Sequence, residues 1–425
     1  MIKFALQAET QAVAPEAPAR EQHIAPVPRI SIQAFCESAE TAATMQAAAA
    51  DRRMIKAHMK LQMGGVAAAA EAYRNAPTPN VIVIESESKS DELLAGLDAL
   101  AEVCDSGTRV IVIGRVNDIL FYRELVRRQI SDYLIAPVSV LDIVRAVSDL
   151  FGAPDAKPVG RTVAVIGAKG GVGASTVAHN IAWAIARDLM LDAVVTDLDL
   201  PFGTAGLDYN QDPPQGIADA VFSPERIDTS FVDRLLSKCT DHLSLLAAPA
   251  TLERVYDFGA EAFDAIFDVL RATVPCTILD LPHVWTGWSR RLLIGADEIL
   301  IVAAPDLANL RNVKNLIDML RQQRPNDTRP YYCLNQVGVP KRPEIKPADF
   351  AKALEAEPAA IIPFDPQMFG TAANNGQMIA EVASGHRAAE TFRQMAQLLT
   401  GRAEQKRGRN SLLSPLLEKL KRRSA

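Results

Sequence analysis

Short unbroken apolar runs alternate along this chain with longer segments in which apolar residues recur every three or four positions. The first spacing predicts buried strands and the second amphipathic helices. Between residues 29 and 151 the strands are Arg29–Cys36, Val81–Glu85, Arg109–Gly114 and the short Asp132–Ala136. Helices are predicted over Ala39–Ala50, Asp91–Val103, Ile119–Gln129 and Val140–Phe151. The Pro- and Gly-containing segment 152–160 reads as a linker. Beyond it, over residues 161–401, come strands Thr162–Gly167, Ala193–Asp197, Leu243–Ala247, Thr277–Leu281, Glu298–Ala303, Tyr331–Asn335 and Ala360–Pro363. Helices there include Arg311–Arg321 and Ala388–Leu399. Alternation of this kind predicts parallel βα units with helices on both faces. The expected fold class is α/β, with two doubly wound parallel-sheet domains.

Composition narrows the classes. At 425 residues, 48% apolar and 23% charged, the chain suits a globular protein of two domains plus tails. A net charge of −6 argues against nucleic-acid binding over the whole surface. Cys36, Cys104, Cys239, Cys276 and Cys333 form no C-x-x-C pair and read as reduced thiols of a cytoplasmic protein. Residues 1–28, rich in Ala, Pro and Gln, carry no signal-peptide pattern and are expected to be disordered. No apolar stretch is long enough to span a bilayer. The tail 402–425 carries eight Lys/Arg against two Glu, with Leu416, Leu417 and Leu420 on one helical face. It is expected to attach to an acidic membrane surface or a partner, with a disordered solubilising tail as the alternative.

The chemistry concentrates after the strand Thr162–Gly167. The segment Gly167-Ala-Lys-Gly-Gly-Val-Gly-Ala-Ser-Thr176 joins that strand to an apolar helix, the setting in which backbone amides and a helix N-terminus cradle phosphates. Gly170, Gly171, Val172, Gly173, Ala174, Ser175 and Thr176 are the candidate phosphate-binding residues, and the Ser175 hydroxyl is placed for Mg²⁺. The usual loop has lysine where this one has Ala174, so nucleotide binding is expected and efficient cleavage is not. Lys169 is the one cation inside the loop. Downstream, Asp197 and Asp199 are spaced to point the same way at a strand end. Asp280 ends a buried strand, where a carboxylate can hold Mg²⁺ directly or through water. His283, Trp285 and Trp288 follow it, and helix packing or a partner surface suits them better than contact with a nucleotide.

The run K-G-G-V-G-x-[ST]-[ST], here Lys169–Thr176, resembles the deviant Walker A signature of the MinD/ParA ATPases. With its degenerate loop and its preceding βα domain, the chain resembles the CpaE/TadZ branch of that superfamily, over residues 29 to about 400. The resemblance implies that Lys169 reaches the partner's phosphates across a nucleotide-sandwich homodimer. It also implies that Asp199 polarises the attacking water, that Asp197 lies near Mg²⁺, and that Asn335 contacts adenine. The segments Ile361–Asp365 and Ala373–Gly376 resemble the group's adenine-side loop. In that branch residues 29–151 form a receiver-like domain. Here Glu85 replaces the phosphorylatable aspartate, Gly114 the Ser/Thr, Ala136-Pro137 the Lys-Pro, and Cys36-Glu37 the acidic pair. A fixed interaction module in which Glu85 imitates a charged state is expected, not phosphotransfer.

The function implied is an ATP- and Mg²⁺-binding, dimerising scaffold for assembly of tight-adherence (Flp-type) pili, with weak or no hydrolysis. Its partners would be pilus machinery or polar localisation factors, at a pole or peripheral to the inner membrane. The alternatives are an active MinD-like ATPase cycling on a membrane or polar surface, and a ParA-like DNA partition protein, which the acidic body disfavours.

Overall fold

The computed structural model describes residues 23–152 and 159–402. Most of the predicted N-terminal tail, most of the linker and nearly all of the basic tail lie outside the described residues. Those described form two units, one on each side of residues 153–158.

In the first unit the strands are β1 (Ser31–Cys36), β2 (His58–Met63), β3 (Val81–Glu85), β4 (Arg109–Gly114) and β5 (Asp132–Ile135). They form one parallel sheet in the order β2-β1-β3-β4-β5. The helices are α1 (Ala39–Ala49), α2 (Gly65–Ala72), α3 (Ser90–Ala101), α4 (Ile119–Arg127) and α5 (Val140–Phe151). Val81, Val83, Ile111 and Ile113 pack with α1 and α5, whereas Ile82, Ile84 and Val112 pack with α2, α3 and α4. Burial on both faces is why β3 is apolar almost throughout rather than alternating. Side-chain caps at Ser38, Asp118 and Ser139 start three of the helices.

The sequence reading lacks β2 and α2. β2 is an edge strand whose side chains are largely exposed, so the interleaved Lys60 and Gln62 break its apolar run. One boundary also moves. Ile24 and Val27 are buried in the first unit's core, and the Ser148 hydroxyl donates to the Ala25 carbonyl at 2.8 Å. Residues 24–28 are therefore part of the packed unit, not of a tail.

Glu85 is buried at the end of β3, directed inward rather than displayed. Its carboxylate accepts from the Glu37 and Ser38 amides at 2.8 Å each, from the Ser38 hydroxyl at 2.6 Å and from the Thr41 hydroxyl at 2.7 Å. It thereby ties β3 to the N-terminus of α1. At Gly114 a Cβ would stand 2.5 Å from the Tyr133 hydroxyl, so this ring takes the room a Ser or Thr would need.

Burial pushes the Glu85 pKa up, but the hydrogen bonds from Ser38, Thr41 and Glu37 outweigh it and hold the group below its ordinary 4.5. A depressed carboxyl stabilises the folded state above the unfolded pKa, and that contribution disappears as pH falls through the folded value. Glu85→Gln is expected to cost about 1–3 kcal/mol at neutral pH and to flatten the loss of stability below pH about 4.5. Hydrogen exchange of β1 and β3 in the full chain checks this. Equal acid sensitivity in both proteins would refute it.

In the second unit eight strands form one sheet in the order β13-β12-β11-β6-β10-β7-β9-β8. They are β6 (Arg161–Gly167), β7 (Ala193–Asp197), β8 (Leu236–Lys238), β9 (Leu243–Leu246), β10 (Cys276–Leu281), β11 (Glu298–Ala303), β12 (Tyr331–Val337) and β13 (Ala360–Pro363). All neighbours run parallel except β8 and β9, which are antiparallel, so the expected wholly parallel sheet carries one short antiparallel edge. Helix α6 (Ala174–Asp188) and the helix Arg387–Leu399 cover one face. The helices Asp264–Thr273, Gly287–Gly295 and Leu307–Gln323 cover the other. Strand β6, which launches the glycine loop, lies between β10 and β11 inside the sheet, so the loop emerges at the carboxyl ends of buried parallel strands. Burial pushes the thiols of Cys276 and Cys333 up to about 12. Among the described residues no helix is long and apolar enough to cross a membrane.

Candidate nucleotide-binding site

The loop after β6 is a cradle held from behind. Its carbonyls accept hydrogen bonds from side chains of three other elements. His283 Nδ1 donates to Gly167 at 2.9 Å and Asn312 Nδ2 to Ala168 at 2.8 Å. Gln336 Nε2 donates to Gly171 at 3.0 Å and Asn335 Nδ2 to Val172 at 2.8 Å. With the carbonyls drawn into the protein, the amides are free to face outward. Among the described residues none of the amides of 169–173 meets a backbone carbonyl. Gly171 and Gly173 have φ of 80° and 81°, a conformation that disfavours any side chain. A Cβ at Gly173 would stand 2.6 Å from Asn335 Nδ2, whereas at Gly170 and Gly171 no atom lies within 4 Å. Gly173 caps the N-terminus of α6. The result is a concavity of amides at a helix N-terminus, which suits a phosphate chain.

Lys169 is exposed at the rim. Its charge helps to hold the Asp306 carboxyl below its ordinary pKa, against burial and alongside the Asn309 hydrogen bonds. Ala174, Ser175 and Thr176 form the first turn of α6 and are half-buried. Asn335, expected at the base, is buried and holds Val172. Of the aromatic residues after Asp280, Trp288 packs in the core with its ring 5.0 Å from that of Phe263, while Trp285 remains 54% exposed. His283 braces the loop, a role the sequence reading had not assigned. Asn375 closes a helix that Gly376 caps in the left-handed conformation.

The carboxylates do not converge on open space. Asp197 is buried, and its two oxygens accept from the amides of Asp199 at 3.1 Å and Ala205 at 3.0 Å. Asp199 caps the turn that follows, accepting from the Phe202 amide at 3.3 Å. Burial, with the Asp280 charge secondary to it, raises the pKa of Asp197; the Asp199 pKa is raised too, with burial again the largest cause. Between Asp208 and Asp280 stands a residue the sequence reading passed over. His179 is fully buried on α6, with Nδ1 2.7 Å from Asp208 Oδ2 and Nε2 3.2 Å from Asp280 Oδ2. The second contact is an ion pair set off the line of a hydrogen bond. Burial alone pushes the imidazole pKa down, but Asp208 and then Asp280 outweigh it and raise it well above the ordinary value.

These residues fit the phosphates of a nucleotide. Asp197 and Asp280, the carboxylates expected near Mg²⁺, are engaged in this structure by the Asp199 and Ala205 amides and by His179 respectively. Among the described residues no group of three His, Cys, Asp or Glu side chains is arranged to hold a metal ion.

The chain is similar to the pilus assembly protein CpaE of Caulobacter crescentus CB15, whose solved structure is 46% identical over 31% of this chain and 100% of that one, with a TM-score of 0.30. The chain belongs to the CpaE-like branch of the MinD/ParA superfamily. As expected of a CpaE-like chain, the fold extends to MinD. The septum site-determining protein MinD complexed with Mg-ADP from Pyrococcus horikoshii OT3 is 17% identical, with a TM-score of 0.50, over 56% of this chain and 96% of that one. Among curated proteins, the septum site-determining protein MinD of Synechocystis sp. (strain ATCC 27184 / PCC 6803 / Kazusa) is 27% identical over 164 residues. That match spans 38% of this chain and 60% of the relative, less than two thirds of the relative's length. No family model matches the chain.

Proposed function

We propose that this CpaE-like chain is a nucleotide-gated scaffold for pilus assembly, one that binds ATP, dimerises around it and hydrolyses it weakly or not at all. The observation that carries the reading is the cradle Gly170–Thr176, with glycines in left-handed conformations, carbonyls braced from behind, and Ala174 where the phosphate-directed lysine would be. Bound ATP supplies the charged phosphates, and the loop amides and the N-terminus of α6 hold them. Lys169, exposed at the rim, is proposed to reach the phosphates of a second copy. Asp199 is proposed to face the attacking water. Asn335, whose Nδ2 donates one of its two hydrogens to Val172, is proposed to contact the base. Without a lysine at position 174 the transferring phosphate lacks a group worth on the order of 3 kcal/mol, which is why turnover is slow. A ligand shifts a dimer equilibrium only by its differential affinity, so ATP must be held more tightly in the dimer than in the monomer. The partners are proposed to be pilus machinery, reached at a pole or at the inner face of the membrane.

Size-exclusion mass measured in ATP and in ADP, with phosphate release on the same samples, tests the reading. Wild type is expected to become dimeric in ATP with little release, and Lys169→Ala to remain folded while its ATP-dependent dimer weakens about tenfold or more. A Lys169→Ala dimer as stable as wild type would defeat the cross-subunit role, and rapid turnover by wild type would defeat the scaffold.

A further inference from the structure

We infer that the first unit carries a docking surface for a second copy of the chain, an apolar strip along one flank of α4 and onto β5 that pairs with itself in the absence of nucleotide. The contact stands apart from the nucleotide reading above and gives the first unit a partner of its own.

Of the seven exposed large apolar side chains described in the first unit, five lie on α4 and β5. Helix α4 turns Phe121 and Leu125 into the core, where the Phe121 ring stands 5.6 Å from that of Tyr133. Glu124 and Arg128 mark its flank toward α3, because Arg128 pairs with Asp98 of that helix at 2.8 Å and with Glu124 at 3.0 Å. Helical spacing then sets Ile119, Tyr122 and Val126 in one stripe on the opposite flank. Along β5, Tyr133 packs on the α4 side of the sheet and Leu134 on the other, so Ile135 returns to the α4 side. Ile135 continues the stripe onto the sheet edge, where β5 has β4 as its one neighbour. These four side chains are 45–69% exposed.

A continuous apolar strip rimmed by polar residues marks an interaction surface, and the charges beside this one select its occupant. Arg123 is exposed on α4 between Ile119 and Val126, while Glu124, the acid next to it, is taken up by Arg127 and Arg128. Across the β5 edge, Asp132, Asp142 and Asp149 line a cleft of about 220 Å³ with a single cation, Arg145. A surface with a cation on one side of an apolar strip and a net negative cluster on the other is complementary to itself. Turned by a two-fold axis, two strips meet, Arg123 of each copy faces the aspartates of the other, and every contact is made twice. A strand of four residues is too short an edge to template an extended ladder, so side chains make the contact. With four apolar side chains at its centre the contact belongs to the transient class, and it adds to an ATP-dependent dimer without replacing it.

The test is sedimentation equilibrium of the full-length chain without nucleotide, from about 1 to about 300 μM. Wild type is expected to rise toward dimer mass with a Kd on the order of 100 μM. A mass that stays monomeric throughout overturns the inference and leaves the nucleotide reading untouched. Lys169→Ala is expected to associate as wild type does, and weakening there would place the contact in the second unit and overturn the inference. The double variant Ile119→Glu/Val126→Glu is expected to weaken association about tenfold or more with unchanged circular dichroism, and a change within about threefold overturns the strip. If that variant does not fold, Arg123→Glu, at an exposed position, serves instead. Its association is expected to weaken about tenfold and to recover when Asp149→Arg is added, and failure to recover overturns the two-fold pairing. Val126→p-benzoylphenylalanine identifies the occupant. Irradiation is expected to give an adduct of twice the chain mass, whereas an adduct within one chain, or none, overturns the inference.

Discussion

Replacing His179 with alanine is expected to destabilise the second unit by about 3–5 kcal/mol, the range for breaking a buried ion pair from one side. The cost arises because the change leaves Asp208 and Asp280 facing each other across an empty site, with Asp197 buried nearby and its proton affinity already raised. A buried carboxylate without a partner must either bear the desolvation penalty or take up a proton. Denaturant unfolding followed by tryptophan fluorescence measures the effect directly, since Trp183, Trp285 and Trp288 all belong to the second unit. Trp183 lies one turn from His179 on α6. A loss below about 1 kcal/mol would mean that the pair is close to neutral in energy, as exposed pairs are.

The second large effect concerns the cradle itself. Gly173→Val is expected to weaken nucleotide binding about tenfold to a hundredfold while leaving the fold intact. A side chain at φ 81° is strained by about 1–3 kcal/mol. The new Cβ would also stand 2.6 Å from Asn335 Nδ2, the atom that holds the Val172 carbonyl away from the cradle. Both effects act on the direction of the loop amides, not on the core beneath. Binding by the variant within about threefold of wild type, with unchanged circular dichroism, would show that the glycine is dispensable.

Much of this architecture was legible because buried parallel strands leave a local mark. β3, β4, β7 and β11 appear as unbroken apolar runs with matching bounds, and the glycine loop announces itself by residue type alone. β2 and β8 were not legible, since an edge strand has one neighbour, exposes its side chains and needs no apolar run. The packing of Ile24 and Val27 was hidden for a related reason: two isolated apolar residues among prolines carry no period. The role of Glu85 shows a different gap. Its presence at the end of β3 could be read, but its inward direction depends on Ser38 and Thr41, which only the β1–β3 pairing brings to it.

For the site, residue type and order were enough to mark out the loop, Asp197, Asp199 and Asp280, because glycine, serine and aspartate at strand ends have few other uses in that arrangement. What those residues are doing was decided by the tertiary structure. His179 reads locally as one more residue on an apolar helix face. Its partners Asp208 and Asp280 lie far along the chain and meet it only when β10, α6 and the short helix Ala205–Asp208 pack together. The same holds for the bracing of the loop by His283, Asn312, Asn335 and Gln336. Periodicity records whether a side chain is buried. A charge pair or a hydrogen bond across the fold depends on which buried side chains face one another, and no local spacing encodes that.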